Sequence, residues 1–156
     1  MGAGKSTVAR VLSERWGVAH RDTDDDVEAA QGRSISDIFV DDGEAAFRAL
    51  EKAAVAAALA EHDGVLSLGG GAVLDPDTRA LLAGHRVVFL QVGLAEAVKR
   101  VGLGAGRPLL LGNVRARVKA LLDERTPIYT SVATVVVDTD DLDPVAVAAR
   151  IEEALA

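Results

Sequence analysis

The chain has 156 residues, 49% of them apolar but only 3% aromatic, so one core must be built from Val, Leu, Ile and Ala, as in a parallel sheet covered by Ala-rich helices. It has no cysteine, which excludes disulfides and thiolate metal sites. A net charge of −7 argues against general nucleic-acid binding, which needs a basic face, yet leaves room for a small anionic ligand at a local cluster of Lys5, Arg48, Arg107 and Arg125.

Taken in chain order, strand-like and helix-like patterns alternate, the signature of βα units. Residues 6–16 read as a helix with Val8, Val11, Leu12 and Trp16 on one face and Gly17 as a stop. A short strand through Val18 and Ala19 to Arg21 ends at Asp22-Thr23-Asp24. Polar helical segments follow, one starting after Ser34. Asp41 with Glu44 three residues on resembles a capping box, predicting a helix to about Glu61. Val65 to Leu68 is an apolar strand running into Gly69-Gly70-Gly71, and a short helix follows Asp75-Pro76. The continuous apolar run within 86–92 predicts a strand buried on both faces. Helices are expected over 94–101 and 114–124, separated by a glycine- and leucine-rich loop at 102–112. Thr134 to Val137 is the last strand, and Asp143-Pro144 opens the last helix, with Val147, Ile151 and Leu155 as its apolar stripe. Four helix-linked strands predict a parallel α/β sheet. No secretory apolar segment follows Met1 and no run is long enough to span a bilayer, so the expectation is a soluble cytoplasmic chain without membrane or nucleic-acid partners.

Gly2-Ala3-Gly4-Lys5-Ser6-Thr7 opens a helix and supplies the second half of the phosphate-binding pattern G-x-x-x-x-G-K-[ST]. Glycines let backbone amides approach phosphates, and the helix N-terminus adds partial positive charge there. Lys5 would reach the β- and γ-phosphates of ATP and Ser6 would offer its hydroxyl to Mg²⁺. The first glycine of the pattern would lie two residues before Met1, and no strand that would feed such a loop is seen; a start assigned inside the loop is the favoured expectation, with a truncated chain or a genuinely short gene product as the alternatives.

Further motifs follow in a fixed order: Asp22-Thr23-Asp24, Gly32-Arg33-Ser34-Ile35-Ser36-Asp37-Ile38-Phe39, Gly43-Glu44-x-x-Phe47-Arg48-x-x-Glu51, Leu68-Gly69-Gly70-Gly71-Ala72-Val73, Arg107-Pro108-Leu109-Leu110 and Arg125-x-Pro127-x-Tyr129. With the half phosphate loop, this set resembles the shikimate kinase family over essentially the whole chain. The resemblance implies a P-loop NTPase fold. Its parallel sheet has the order 2-3-1-4-5, with strand 1 the segment not seen here, and helices cover both faces. It implies a single domain over 1–156, with substrate-binding helices at about 24–61 and a mobile lid at about 102–113. The implied reaction is ATP- and Mg²⁺-dependent phosphorylation of the 3-hydroxyl of shikimate, by a monomer. A gluconate-kinase-like enzyme and an inactive, truncated nucleotide-binding module are the alternatives.

Residue by residue, the resemblance places Asp24 on the acceptor diol, as positioner first and base second, and Asp22 beside Mg²⁺ with Ser6. An acidic surface turn is the other reading of Asp22, Asp24, Asp25 and Asp26. Arg48 and Arg125 would clamp the shikimate carboxylate, matching its plane with their forks. A helix ion pair with Glu44 and Glu51 is the other reading of Arg48, with Glu51 orienting it in either case; for Arg125 it is a cation at a helix C-terminus. Gly69, Gly70 and Gly71 would let backbone amides approach the substrate, or form a plain turn. Phe39 and Phe47 would wall the pocket, or belong to the core. Gly2, Ala3, Gly4, Lys5, Ser6 and Thr7 would cradle ATP, Arg100 would stack on adenine or lie exposed, and Arg107 would reach the transferring phosphate or remain a solvated loop cation. His20, His62 and His85 lack metal-ligand spacing and receive no role.

Overall fold

Glycine and short polar caps set most of the element boundaries in the computed structural model, which describes the backbone of residues 4–105 and 111–156 and the side chains of 4–100 and 114–156. Gly2, Ala3 and residues 106–110 of the expected lid, Arg107 among them, lie outside the described residues. The chain forms two compact units, one made by its start up to Val8 together with His85–Ala156, the other by Ala9–Gly84. Helix α1 (Lys5–Trp16) begins in the first and continues into the second.

In the second unit, β1 (His20–Asp22) pairs in parallel with β2 (Val65–Ser67), His20 facing Val65. Between them run α2 (Thr23–Gln31), α3 (Ile35–Asp42) and α4 (Glu44–Glu61). Val27, Ile38 and Phe47, one from each helix, form a core cluster flanked by Ile35, Leu50 and Ala54. Asp22 caps α2, Ser34 caps α3, and Gly32 closes α2 in the left-handed conformation at φ 66°. The expected capping box at Asp41 and Glu44 does not form. Asp41 lies inside α3, and Gly43 at φ 88° ends α3 and starts α4 without a side-chain cap. That backbone angle is open to glycine and strained for most other residues, so the chain turns there. After β2, a 3-10 turn (Ala72–Leu74) leads into α5 (Pro76–Leu82), capped by Asp75.

In the first unit, β3 (Val88–Gln91) pairs in parallel with β4 (Val135–Asp138), Val88 facing Val135. The two pairs are neighbours in the order 2-3-1-4-5 when β1 to β4 are counted as its second to fifth strands. Val88, Phe89 and Leu90 are half-buried, not buried on both faces as expected, because among the described residues β3 has a paired neighbour on one side only. Helices α6 (Leu94–Ala105) and α7 (Leu111–Val132) extend further into 102–112 than the sequence suggested. They pack through Val92, Ala97 and Val118. α7 also passes through Pro127 instead of ending near Glu124. A proline forfeits one helical bond, but Tyr129 beyond it packs on Phe89 at 4.9 Å between ring centroids, which holds the final turns against β3. Helix α8 (Pro144–Leu155) is capped by Asp143 and buries Val147, Ala148 and Ile151.

Ile38 is fully buried in the three-helix cluster. Ile38→Ala is expected to destabilise the protein by about 2–4 kcal/mol, read by denaturant unfolding; a loss below about 1 kcal/mol would show that this cluster is not a packed core.

Candidate active site

Each strand of the second unit delivers polar residues at its carboxyl end. β1 ends at Asp22, whose Oδ1 accepts the Asp24 N–H at 2.8 Å and starts α2. This puts Asp24 in the first helical turn. β2 ends at Ser67 and runs into Gly69–Gly71. A Cβ at Gly69 would lie 2.8 Å from Glu51 Oε2 and 2.9 Å from Asp24 Oδ1, closer than such carbons approach. A Cβ at Gly71 would overlap the Arg48 guanidinium. Two of the three glycines therefore have a steric reason to be glycine: the side chains of Asp24, Glu51 and Arg48 press against their backbone.

Arg48 Nη1 donates to Glu51 Oε1 at 2.8 Å, and Nη2 to Glu44 Oε1 at 3.4 Å. Glu51 is 3% exposed and Arg48 half-buried, so the carboxylate is the buried member of the pair. Partial burial of Arg48 works to lower its pKa, but the Glu51 hydrogen bond and the charges of Glu51 and Glu44 outweigh it and hold the guanidinium above its ordinary value. The ion-pair reading of Arg48, with Glu51 orienting it, is what the geometry shows. The guanidinium also lies 5.4 Å from the Phe47 ring centroid. Phe47 is buried in the helix core and Phe39, 37% exposed, packs against it at 4.9 Å. Two contributors escaped the sequence reading. Arg79 Nη1 donates to the carbonyls of Val73 (2.7 Å) and Leu74 (3.0 Å), fixing the turn that follows the glycines. The buried Thr23 hydroxyl reaches Ser67 O at 3.4 Å, tying β1's end to β2's. An i to i+6 Arg-to-carbonyl contact has no sequence signature.

The first unit holds the phosphate-loop residues. Gly4 takes φ 73°, and the helix opens directly at Lys5. Lys5 and Ser6 are exposed. A cavity of about 430 Å³ is lined by Gly4, Thr7 and Arg100, three of the residues expected at ATP, and by Thr139, Leu142 and Pro144. The last three were not foreseen. Their signal was their position in the loop after the last strand, where open α/β sheets bind ligands. Arg125 stands on α7 with its Nε buried and, among the described residues, without a hydrogen-bond partner. Among the described residues no three His, Cys, Asp or Glu side chains could hold a metal ion together.

A half phosphate loop at a helix N-terminus, parallel strand pairs and ligand positions at strand carboxyl ends define a P-loop kinase. The family model for shikimate kinase matches residues 1–156. Shikimate kinase of Streptomyces avermitilis is 60% identical over 155 residues, 99% of this chain and 91% of the relative. That of Mycobacterium bovis is 53% identical over 151 residues, 96% and 86% of the two chains. Among solved structures, shikimate kinase from Acinetobacter baumannii in complex with shikimate aligns with a TM-score of 0.91 at 32% identity, covering 99% of this chain and 88% of that one. The Aquifex aeolicus enzyme gives 0.84 at 29% identity, with 99% and 90% covered. The chain belongs to the shikimate kinase family.

Gly71→Ala tests the glycine geometry. The methyl group meets the mobile end of Arg48, so the expected outcome is a folded protein, within about 1 kcal/mol of the parent, whose affinity for the acceptor falls at least tenfold. Unchanged acceptor binding would show that Arg48 does not act from the observed position.

Proposed function

We propose that the chain transfers the γ-phosphate of ATP to the 3-hydroxyl of shikimate, giving shikimate 3-phosphate for chorismate and aromatic amino acid biosynthesis. The observation that carries the reading is the packing of Asp24, Glu51 and Arg48 against Gly69 and Gly71. It combines hydrogen-bond acceptors for a diol with a pre-oriented cation for a carboxylate in one pocket wall. The family membership favours this reading over a gluconate kinase or an inactive module.

In this reading Asp24 accepts hydrogen bonds from adjacent hydroxyls and holds one for in-line attack, which matters more than early proton removal in a loose transition state. Arg48, held by Glu51, and Arg125, with its free Nε, grip the carboxylate; the amides of Gly69–Gly71 approach the ring. Phe39 walls the pocket, with Phe47 bracing it from the core. On the ATP side, residues 2–7 cradle the phosphates, with Lys5 on the β- and γ-oxygens, and Arg100 lies against the base. Arg107, in a lid at 102–113, meets the charge that develops on the transferring phosphoryl group. Mg²⁺ would neutralise phosphate charge. The Ser6 hydroxyl and the Asp22 carboxylate are hard oxygen donors of the kind it prefers, and phosphates and water would complete the shell. No helix among the described residues is long and apolar enough to cross a membrane; a cytoplasmic monomer is part of the proposal.

The test is a coupled assay of ADP release with MgATP and shikimate. Turnover should need both substrates and magnesium. Asp24→Asn is expected to lower kcat by about 10²–10³ with little change in the nucleotide KM. Arg48→Lys should raise the shikimate KM at least tenfold, because an ammonium cannot reproduce the planar fork. Turnover without shikimate, or an Asp24→Asn variant at full kcat, would refute the reading.

A further inference from the structure

We propose that Asp140 is a positioning residue for nucleotide binding, a carboxylate staple that sets the distance between two walls of the ATP cavity; this rests on the kinase reading above. One wall is the loop after β4, which brings Thr139, Leu142 and Pro144 to the cavity. The other is α6, which brings Arg100. Asp140 is not itself among the residues that line the cavity. It receives the backbone N–H of Gly93 on both carboxylate oxygens, at 3.0 and 3.1 Å.

Gly93 is the pivot between β3 and α6. Strand pairing ends at Gln91 opposite Asp138, and the Gly93 carbonyl accepts Ala97 N at 3.0 Å as the first bond of the helix. Asp140 therefore holds the residue from which α6 departs. Its negative charge also sits at that helix's positive end. The preceding residue works in the same direction but one step earlier. The buried Thr139 gives both its N–H and its hydroxyl to Gln91 O, each at 2.9 Å, and so fixes the loop to the strand but not to the helix. The Asp140 contact ties the loop to Gly93, the residue from which α6 starts. The loop's own shape is closed by Leu142 N to Thr139 O at 3.2 Å and by Asp141 in the left-handed region at φ 61°. Gly93 has its own reason to lack a side chain: a Cβ there would overlap Asp140 Oδ2.

The experiment measures ATP Kd by calorimetry, both KM values, kcat and Tm for the parent, Asp140→Ala, Asp140→Asn and Gly93→Ala. Asp140→Ala should raise the ATP Kd and KM about tenfold, roughly 1.4 kcal/mol of binding. The shikimate KM and the kcat at saturating ATP should stay within about twofold. Asp140→Asn keeps an oxygen for the Gly93 N–H and should recover most of the affinity. Gly93→Ala displaces the carboxylate from the other side and should reproduce the loss, which decides the matter if Asp140→Ala does not fold. ATP affinity unchanged in Gly93→Ala, or a fall in Tm with both KM values raised equally and no rescue by Asn, overturns the proposal. A parent protein that binds no ATP overturns the kinase reading and this staple with it. A parent that binds ATP while the variants match it overturns the staple alone.

Discussion

Glu51 is 3% exposed, and a carboxylate so far from water needs a partner that shares its burial. Arg48 supplies it at 2.8 Å. The pair is possible because Gly69 and Gly71 offer no side chain at the places these groups occupy. Removing one member of such a pair typically costs about 3–5 kcal/mol, because the other charge is left buried and alone. The arrangement is thus a poor way to gain stability and a good way to fix direction. One face of the guanidinium is committed to Glu51, so the rest of its fork has few orientations left. The entropy of ordering a long side chain is met during folding, not on ligand binding.

The same economy recurs at every strand. β1 runs into Asp22 and Asp24, β2 into the three glycines, β3 into Gly93 and α6, and β4 into the Thr139–Pro144 loop. Parallel strands joined by helices present all their carboxyl ends on one edge of the sheet, and helices start there with unsatisfied amides. Side chains at those points cap the helices: Asp22 caps α2, and Asp143 caps α8 beside the cavity-lining Pro144. The fold places the chemistry; the individual residues refine it.

What could be read from the sequence follows from this division. The glycines and the phosphate loop stand at turns, where few residue types satisfy the backbone, so their identities carry information; Asp24 and Arg48 lie near the starts of α2 and α4 and are marked by their place in a run of motifs. The false capping box at Asp41 shows the limit of that logic. Its spacing to Glu44 is right, but Gly43 lies between them, and its φ of 88° moves the boundary two residues on. Pro127 misled in the opposite sense, since the Tyr129–Phe89 contact keeps α7 going where local propensity says stop. Leu142 and Pro144 read as ordinary loop and helix-start residues. Only the path of the loop past α1's first turn makes them a cavity wall. Tertiary contacts decide such cases, and they leave no local pattern.

Two buried polar atoms lack hydrogen-bond partners among the described residues, Thr78 Oγ1 and Arg125 Nε, and they are not equivalent. A buried orphan donor or acceptor costs about 1–3 kcal/mol, more when charged. Thr78 is a neutral hydroxyl on α5, nearly isosteric with valine, and its β-branched body fills a fully buried position whether or not the oxygen is satisfied. Arg125 has no such apolar substitute. An unfilled donor on a charged group costs more than one on a neutral hydroxyl. In the proposed function that unfilled Nε–H is what favours an anionic acceptor. The half-buried Arg48 is the opposite case, its Nη1 already paired with Glu51. A guanidinium paired in advance is fixed in direction, whereas one with an unfilled donor has a hydrogen bond still to gain.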